Sequence, residues 1–335
     1  MPSVVLGLPM YGSEEFVADV IESLLALDHD DFAVVAVDDC SPDSTLDIAR
    51  SYAATDSRLV VEANPERLGM IGNWNRALDR ALELFPELEF FAWASDNDLR
   101  EPSWISVLLG ELQNDPQAVL AYSRFGTIVN GEKVVPKRSK WLFETRGVAD
   151  PRRRFKAAME GMRAGPIMYG LHRRGTLLEA GNVPDVLLSD FIFLSHLSLY
   201  GTFLQAPDVL WYRDVRRTTG SATRKQRAAL FAGEPPRLTY LPVSLQHTLW
   251  LLRRLLVAER RPAGMGRGAA LFVSFFYLAN WWMRLLRRGR SIARKRRLKL
   301  EKRLRKRLAP HKGLVLRYGL GRRLARAVRG PGRRS

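Results

Sequence analysis

From Ser3 to Ser95 the chain alternates short runs of uninterrupted apolar residues with longer runs whose apolar residues recur at helical spacing. "SVVLGLP" precedes "EEFVADVIESLLAL", where Phe16, Val17, Val20, Ile21, Leu24 and Leu25 share one helical face. "FAVVAVDD" precedes "SPDSTLDIARSYAA", with Ser41 or Asp43 placed to cap a helix. "RLVVEAN" precedes "LGMIGNWNRALDRALEL", and "LEFFAWAS" is a fourth apolar run. Strands without polar alternation must be covered on both faces, so the pattern predicts an α/β fold: a Rossmann-like, mostly parallel sheet flanked by helices. In such sheets ligands bind beyond the carboxyl ends of the strands.

The residues at those ends are polar and varied. Pro9-Met10-Tyr11-Gly12 follows the first strand, with Ser13 and Glu14 behind it; Asp38-Asp39-Cys40-Ser41 follows the second. Asn64 follows the third, with Arg67 and Gly69 close by, and "FFAWASDNDLREP" ends the fourth on Asp96 and Asp98. A nucleotide needs a ring to stack on its base, a carboxylate for base N–H or ribose hydroxyls, and a cation for its phosphates. No Gly-x-Gly-x-x-Gly follows the first strand and no Gly-Lys-Ser/Thr loop occurs, so neither a dinucleotide fold nor a phosphate-binding NTPase loop is indicated. Without a glycine-rich cradle, a divalent metal is the natural neutraliser of a diphosphate. The plain alternatives are a helix-capping turn at Asp38-Asp39 and a turn at Asp96-Asn97-Asp98, since both residue types favour turns.

Five segments, in order and spacing, resemble the inverting family 2 glycosyltransferases of GT-A fold: "LPMYGSEEFVADVIESLLAL", "VVAVDDCSPDSTLDIA", "NPERLGMIGNWNRAL", "WASDNDLREPSWI" and "LLSDFIFLSHLSLYGTFLQAPDVLWYR". The resemblance covers roughly residues 3 to 215. It implies transfer of a sugar from a nucleotide-diphosphate donor to an acceptor hydroxyl. By the same resemblance Pro9, Tyr11, Glu14 and Asp39 belong to the nucleotide site, with Arg67 and Asn75 helping to hold it. Asp96 and Asp98 fall in the acidic motif for Mg²⁺ or Mn²⁺, Asp98 as the better ligand, and Asp190 falls at the catalytic base. A positioned carboxylate suits that role, since the acceptor hydroxyl must lose its proton as it attacks. The acidic motif departs from the family's Asp-x-Asp-Asp at Ser95 and Asn97. No histidine follows the "YR" element, so Arg213, Arg216 or Arg217 would offer positive charge to the diphosphate. His172 and His196 lack partners at metal-ligand spacing and read as structural. Trp141, Phe143 and Trp211 are candidate sugar-stacking platforms or core, and "GPIMYGLHRR" reads as a further strand.

Charge divides the chain. Residues 251–335 hold 27 Lys and Arg against Glu259 and Glu301, a net +25, while the rest holds 26 basic and 33 acidic residues, a net −7. These halves suit different partners. The expected organisation is a glycosyltransferase-type domain over 1–225, its nucleotide half about 1–102 and its acceptor half about 103–225, then a basic helical extension over 226–335. The uncharged run Gly268–Met283 is 16 residues long and ends in Trp281-Trp282 before arginines. An in-plane amphipathic anchor on an anionic membrane surface is the favoured reading, over a spanning helix or a core helix. Nucleic acid is the competing partner of so basic a run, but the apolar Phe- and Trp-rich stretch beside it belongs with lipid, and no specific nucleic-acid motif is present. With one cysteine, Cys40, and no basic segment before the first apolar run, the expected location is the cytoplasm, peripheral to the inner face of the cell membrane, and the expected acceptor a glycan or lipid-linked hydroxyl. A nucleotidyltransferase and an inactive nucleotide-sugar-binding membrane scaffold are the rival readings.

Overall fold

The structure is a computed structural model that describes residues 1–135, 142–214, 223–258, 260–283 and 286. The N-terminal half follows the predicted alternation: β1 (Val4–Met10), α1 (Val17–Leu25), β2 (Phe32–Asp38), α2 (Thr45–Ala53), β3 (Leu59–Ala63), α3 (Gly69–Leu84) and β4 (Phe90–Trp93). Strands β3, β2, β1 and β4 lie side by side in that order, all parallel. Every residue of β1, β2 and β4 is buried, as uninterrupted apolar runs require. Side chains leave alternate faces. Val5 and Phe91 join the core beneath α3, and Val4, Leu6, Leu8 and Met10 join the one beneath α1.

Beyond β4 the chain adds β5 (Asp98–Arg100), α4 (Trp104–Asn114), β6 (Ala118–Val129), β7 (Glu132–Val134), α5 (Pro151–Gly161), α6 (Ala164–Met168), β8 (Leu171–Arg173), α7 (Arg174–Ala180), α8 (Ser189–Leu197) and β9 (Thr202–Asp214). The sheet continues β4-β8-β6-β9-β5, with β7 on β6. Here it becomes mixed: β8 is antiparallel to β4 and β6, β9 is parallel to β6, and β5 is antiparallel to β9. The strand expected throughout "GPIMYGLHRR" is confined to Leu171–Arg173, because α6 takes the residues before it.

The C-terminal part does not begin a separate body at residue 226. Helices α9 (Thr223–Leu230) and α10 (Val243–Leu252), and the π-helical turn Arg253–Val257 after α10, belong to one compact unit that runs from Met1 to Leu278. Residues 267–278 of that unit are helical. Among the described residues no helix is long and apolar enough to cross a membrane. The basic run from 287 onward, which supplies the cationic part of the anchor reading, lies outside the described residues, as do Trp141, Arg216 and Arg217.

One buried cation ties together the segments around α5 and α8. The Arg154 guanidinium donates to four main-chain carbonyls: Ser198 (2.9 Å) and Leu199 (2.7 Å) just past the end of α8, and Val148 (3.0 Å) and Ala149 (2.7 Å) ahead of α5. A cation at a helix C-terminus meets the negative end of the helix dipole, and only a planar fork reaches carbonyls on two segments at once. Arg154→Lys is therefore expected to lower stability by about 2 kcal/mol, as carbonyls lose donors in a buried setting. A urea midpoint unchanged from wild type would contradict this.

Candidate functional site

Asp39 directly follows β2 and is 2 % exposed. One carboxylate oxygen accepts from the Asn64 amide (2.9 Å) and the Leu68 N–H (2.6 Å), and the other from the Gly69 N–H (2.8 Å). It thus caps the N-terminus of α3, where orphan N–H groups and the positive end of the dipole favour an anion. Asn64 also donates to Asn73 (3.0 Å), and Asn73 donates to the Val37 carbonyl (2.9 Å). The turn reading of Asp38 holds alongside: its carboxylate accepts from both the N–H and the hydroxyl of Ser41. Cys40 between them has φ 58°, a left-handed backbone held by these bonds.

A cavity of about 350 Å³ opens over this edge, lined by Pro9, Tyr11, Asp39, Arg67, Asn73, Asp96 and Ala229 among others. The Arg67 guanidinium lies over the Tyr11 ring at 4.2 Å, a cation–π contact that presents a flat aromatic edge and a positive charge together. Asp96 accepts from the Tyr11 N–H (3.2 Å), which links the end of β1 to the acidic motif.

A second cavity of about 360 Å³ adjoins the first, and the two share Met70, Trp74, Ser95, Asn97 and Tyr169. Asp98, Asp190, Trp211 and Arg213 line the second cavity. Asp98 is 3 % exposed, accepts from the Asp214 N–H (3.1 Å) and stands opposite Arg213 in the β5–β9 register. Burial pushes its carboxyl up to about 7; the Asp214 N–H, Arg100 and Arg213 pull the other way, and Asp96 adds to the rise. Asp190, in the first turn of α8, is also raised by burial, and one of its oxygens accepts from the Phe191 N–H (2.8 Å). Leu188, the cap residue before α8, has φ 55°.

Among the described residues no group of three or more His, Cys, Asp and Glu could hold a metal. Asp96 and Asp98 nonetheless fit a hard divalent cation that also takes phosphate oxygens and water. They are neighbouring carboxylates, and Asp98 is desolvated enough to resist ionising without a counter-cation.

Eight of the expected residues therefore line the two cavities: Pro9, Tyr11, Asp39, Arg67 and Asp96 the first, Asp98, Asp190 and Arg213 the second. Two expected nucleotide contacts line neither. Glu14 is exposed and its carboxylate accepts from the Ser44 N–H (3.1 Å), which serves the start of α2. Asn75 faces the other way along α3: its amide donates to the Val183 carbonyl (3.0 Å) and accepts from the Val183 N–H (2.8 Å). Asn73, two residues earlier, is the asparagine of α3 that lines the first cavity. It sits on the stripe with Ala77 and Ala81, where a buried amide must be bonded, and that spacing is the signal that distinguishes it.

Trp74 and Tyr169, which wall both cavities, were not singled out from the sequence. Trp74 stacks on Trp93 (5.8 Å) and meets the Tyr169 ring edge-on (5.6 Å). Burial, then Asp98, raises the Tyr169 phenol, so it stays protonated. His172 and His196 are fully buried and bond to main-chain carbonyls; burial lowers them to about 4 and about 3, so both are neutral and structural. Phe143 packs on Phe203 in the core, and of the candidate platforms Trp211 reaches a cavity.

Residues 5–166 match the family described as Glycosyl transferase family 2. The putative teichuronic acid biosynthesis glycosyltransferase TuaG of Bacillus subtilis is 35% identical over 80 residues, 24% of this chain and 32% of TuaG. The putative glycosyltransferase EpsH of the same organism is 28% identical over 119 residues, 36% of this chain and 33% of EpsH. The match thus spans about a third of the length of these relatives. Residues 1–349 of S. aureus TarS, crystallised with UDP-GlcNAc, superpose with a TM-score of 0.57 at 17% identity, over 84% of this chain and 72% of that one. The fold is GT-A-like.

The bonds to Asp39 make it a structural cap irrespective of any ligand. Asp39→Asn turns one acceptor oxygen into an N–H₂ facing N–H donors, and is expected to cost about 1–3 kcal/mol in urea unfolding of the ligand-free protein. Unchanged stability would mean that α3 does not depend on this carboxylate.

Proposed function

We propose that the chain is an inverting, metal-assisted glycosyltransferase that takes a nucleotide-diphosphate sugar in the first cavity and an acceptor hydroxyl in the second. The observation that carries this is the shared wall. The Asp96–Asp98 segment and Tyr169 lie where the cavities meet, and Asp190 faces the second cavity alone. A donor whose diphosphate rests at the acidic motif would present its anomeric carbon to a hydroxyl held beside Asp190.

In this reading the Tyr11 ring and Arg67 flank the base, with Asp39 at its edge, and Arg213 adds charge near the diphosphate. Mg²⁺ or Mn²⁺ at Asp98 and Asp96 would supply charge neutralisation to the departing diphosphate. The acceptor oxygen forms its bond to the anomeric carbon as the bond to the diphosphate oxygen breaks. The diphosphate leaves with the electron pair, and the hydroxyl proton passes to Asp190. One displacement from the opposite face inverts the centre. Trp74, Tyr169 and Trp211 exclude water from the junction, which favours the hydroxyl over hydrolysis.

A lipid-linked or other cell-envelope acceptor, met at an anionic membrane surface on the cytoplasmic side, accords with the molecule's charge. Phe272 and Phe275 on the helical segment 267–278 are 58% and 57% exposed, and Phe272 shares a groove with the exposed Arg152, Arg153 and Lys156 of α5. Exposed phenylalanines beside cations suit a headgroup region, and the +25 charge of residues 251–335 adds attraction of about 1 kcal/mol per basic residue near the surface.

Calorimetry with UDP, GDP, dTDP and CDP, each with and without Mn²⁺, tests the donor site. One diphosphate is expected to bind in a metal-dependent manner, and Asp98→Ala to lose that dependence; no binding under any condition would sink the reading. Turnover tests the base, with UDP-GlcNAc the first donor to try. Asp190→Asn should lower kcat by about 10²-fold or more while leaving diphosphate affinity within about twofold. Because burial raises the Asp190 pKa, wild-type activity should fall as pH drops through a value above the ordinary carboxylate pKa of about 3.9. The same sign makes ionised Asp190 a cost to the fold near neutral pH, so Asp190→Asn is expected to melt no lower than wild type.

A further inference from the structure

We propose that Gln246 and His247 of α10, backed by Tyr277, are positioning residues that aim Asp190 by gripping the main chain of Leu187 from both sides. This rests on the reading of Asp190 as the base. Leu187 lies three residues before Asp190, and both its polar main-chain groups are taken by consecutive residues of α10. Its N–H donates to the Gln246 side-chain oxygen (3.0 Å), and its carbonyl accepts from His247 Nε2 (2.6 Å).

The chemistry of each partner is determined. The Gln246 amide nitrogen donates to the Leu241 (2.7 Å) and Thr239 (3.2 Å) carbonyls, which leaves its oxygen for Leu187. A carbonyl can only accept, so His247 carries its proton on Nε2, and Nδ1 accepts from the Tyr277 hydroxyl. All three side chains are fully buried, and burial lowers His247 to about 4, so the neutral tautomer persists at working pH. Tyr277 lies in the helical segment 267–278, so the grip extends to the last part of the compact unit.

What the grip holds is strained. Leu188 is left-handed at φ 55°, a conformation a non-glycine residue keeps only where its surroundings over-determine it. Its carbonyl accepts from Phe191 (3.1 Å) and Ile192 (3.4 Å), which starts α8, and the same Phe191 N–H donates to Asp190. The aim of the carboxylate therefore follows from the geometry of Leu188, and that from the fixed Leu187. At the other end of the segment the Asn75 amide pairs with both main-chain groups of Val183. Two helices far apart in sequence pin one loop at its two ends.

The test uses the full chain in four variants, assayed for UDP release from UDP-GlcNAc, or from the nucleotide sugar whose diphosphate calorimetry selects, with bacterial membrane lipid as acceptor source. His247→Phe keeps the ring and removes the donor; His247→Gln restores a donor and an acceptor; Tyr277→Phe removes one hydroxyl; Asp190→Asn reports on the base itself. Misplacement of a reacting group by an ångström costs up to about 10²-fold. His247→Phe is expected to lose about tenfold or more in kcat with diphosphate Kd within about twofold, Tyr277→Phe less, and His247→Gln to recover part of the loss. Wild-type kcat in both His247→Phe and Tyr277→Phe, with Asp190→Asn inactive, overturns the grip and spares the base. Loss of kcat and diphosphate affinity together in His247→Phe, without recovery in His247→Gln, shows a structural role only and also overturns it. Full activity in Asp190→Asn overturns the base and the grip with it.

Discussion

Helix α3 is placed by one buried anion, and much of the site is placed by α3. Asp39 closes the end of β2 onto the first N–H groups of the helix, and Asn64 and Asn73 extend the bonding to β3 and to the main chain of β2. From that fixed start the helix delivers three consecutive residues to three tasks. Asn73 closes the floor of the first cavity, Trp74 forms part of the wall shared with the second, and Asn75 holds the loop that leads to Asp190. The helix is in effect a ruler between the two cavities, and its zero mark is a carboxylate.

The electrostatics have a common cause. Asp98 and Asp190 are both raised chiefly by burial, and both line the second cavity. Each is therefore a desolvated acid whose ionised form gains most when a cation or a proton donor arrives. Arg100 lies behind Asp98, fully buried, with burial lowering it to about 10, and its guanidinium donates to the Trp93 carbonyl and lies over Trp104. A group so placed biases the local field without being able to reach a ligand. An ionised carboxylate buried in this way costs the fold stability.

The N-terminal layout was legible because local periodicity reports burial directly: fully apolar strands, amphipathic helices, and polar residues gathered at the strand ends. The acidic residues later found in the cavities stood out for the same reason. Glu14 and Asn75 line neither cavity, and sequence could not show this: it places a polar residue near a strand end, and not which neighbour takes its hydrogen bonds. Tyr169 lies in a stretch whose sequence reads as a strand, since nothing local shows that α6 and a short β8 turn its ring toward the acidic motif. The C-terminal helices are ambiguous for another reason. "VSLQHTLWLLRRLLVAERR" has the apolar face of a membrane-surface helix and equally that of a core helix. Two of its polar residues, Gln246 and His247, reach a partner some sixty residues earlier, a contact with no local trace.

The glycine at the start of α3 shows what this arrangement means for the chain as a heritable unit. Gly69 has φ +78°, and a Cβ there would stand 2.6 Å from the main-chain nitrogen of Ala232, within the segment that follows α9. The first turn of α3 and the chain past residue 230 are thus moulded to each other's backbone. The family-matched stretch 5–166 stops well short of that partner. Residues 5–166 therefore do not form an exchangeable cassette, and recombination between relatives could preserve this interface only by inheriting both sides together.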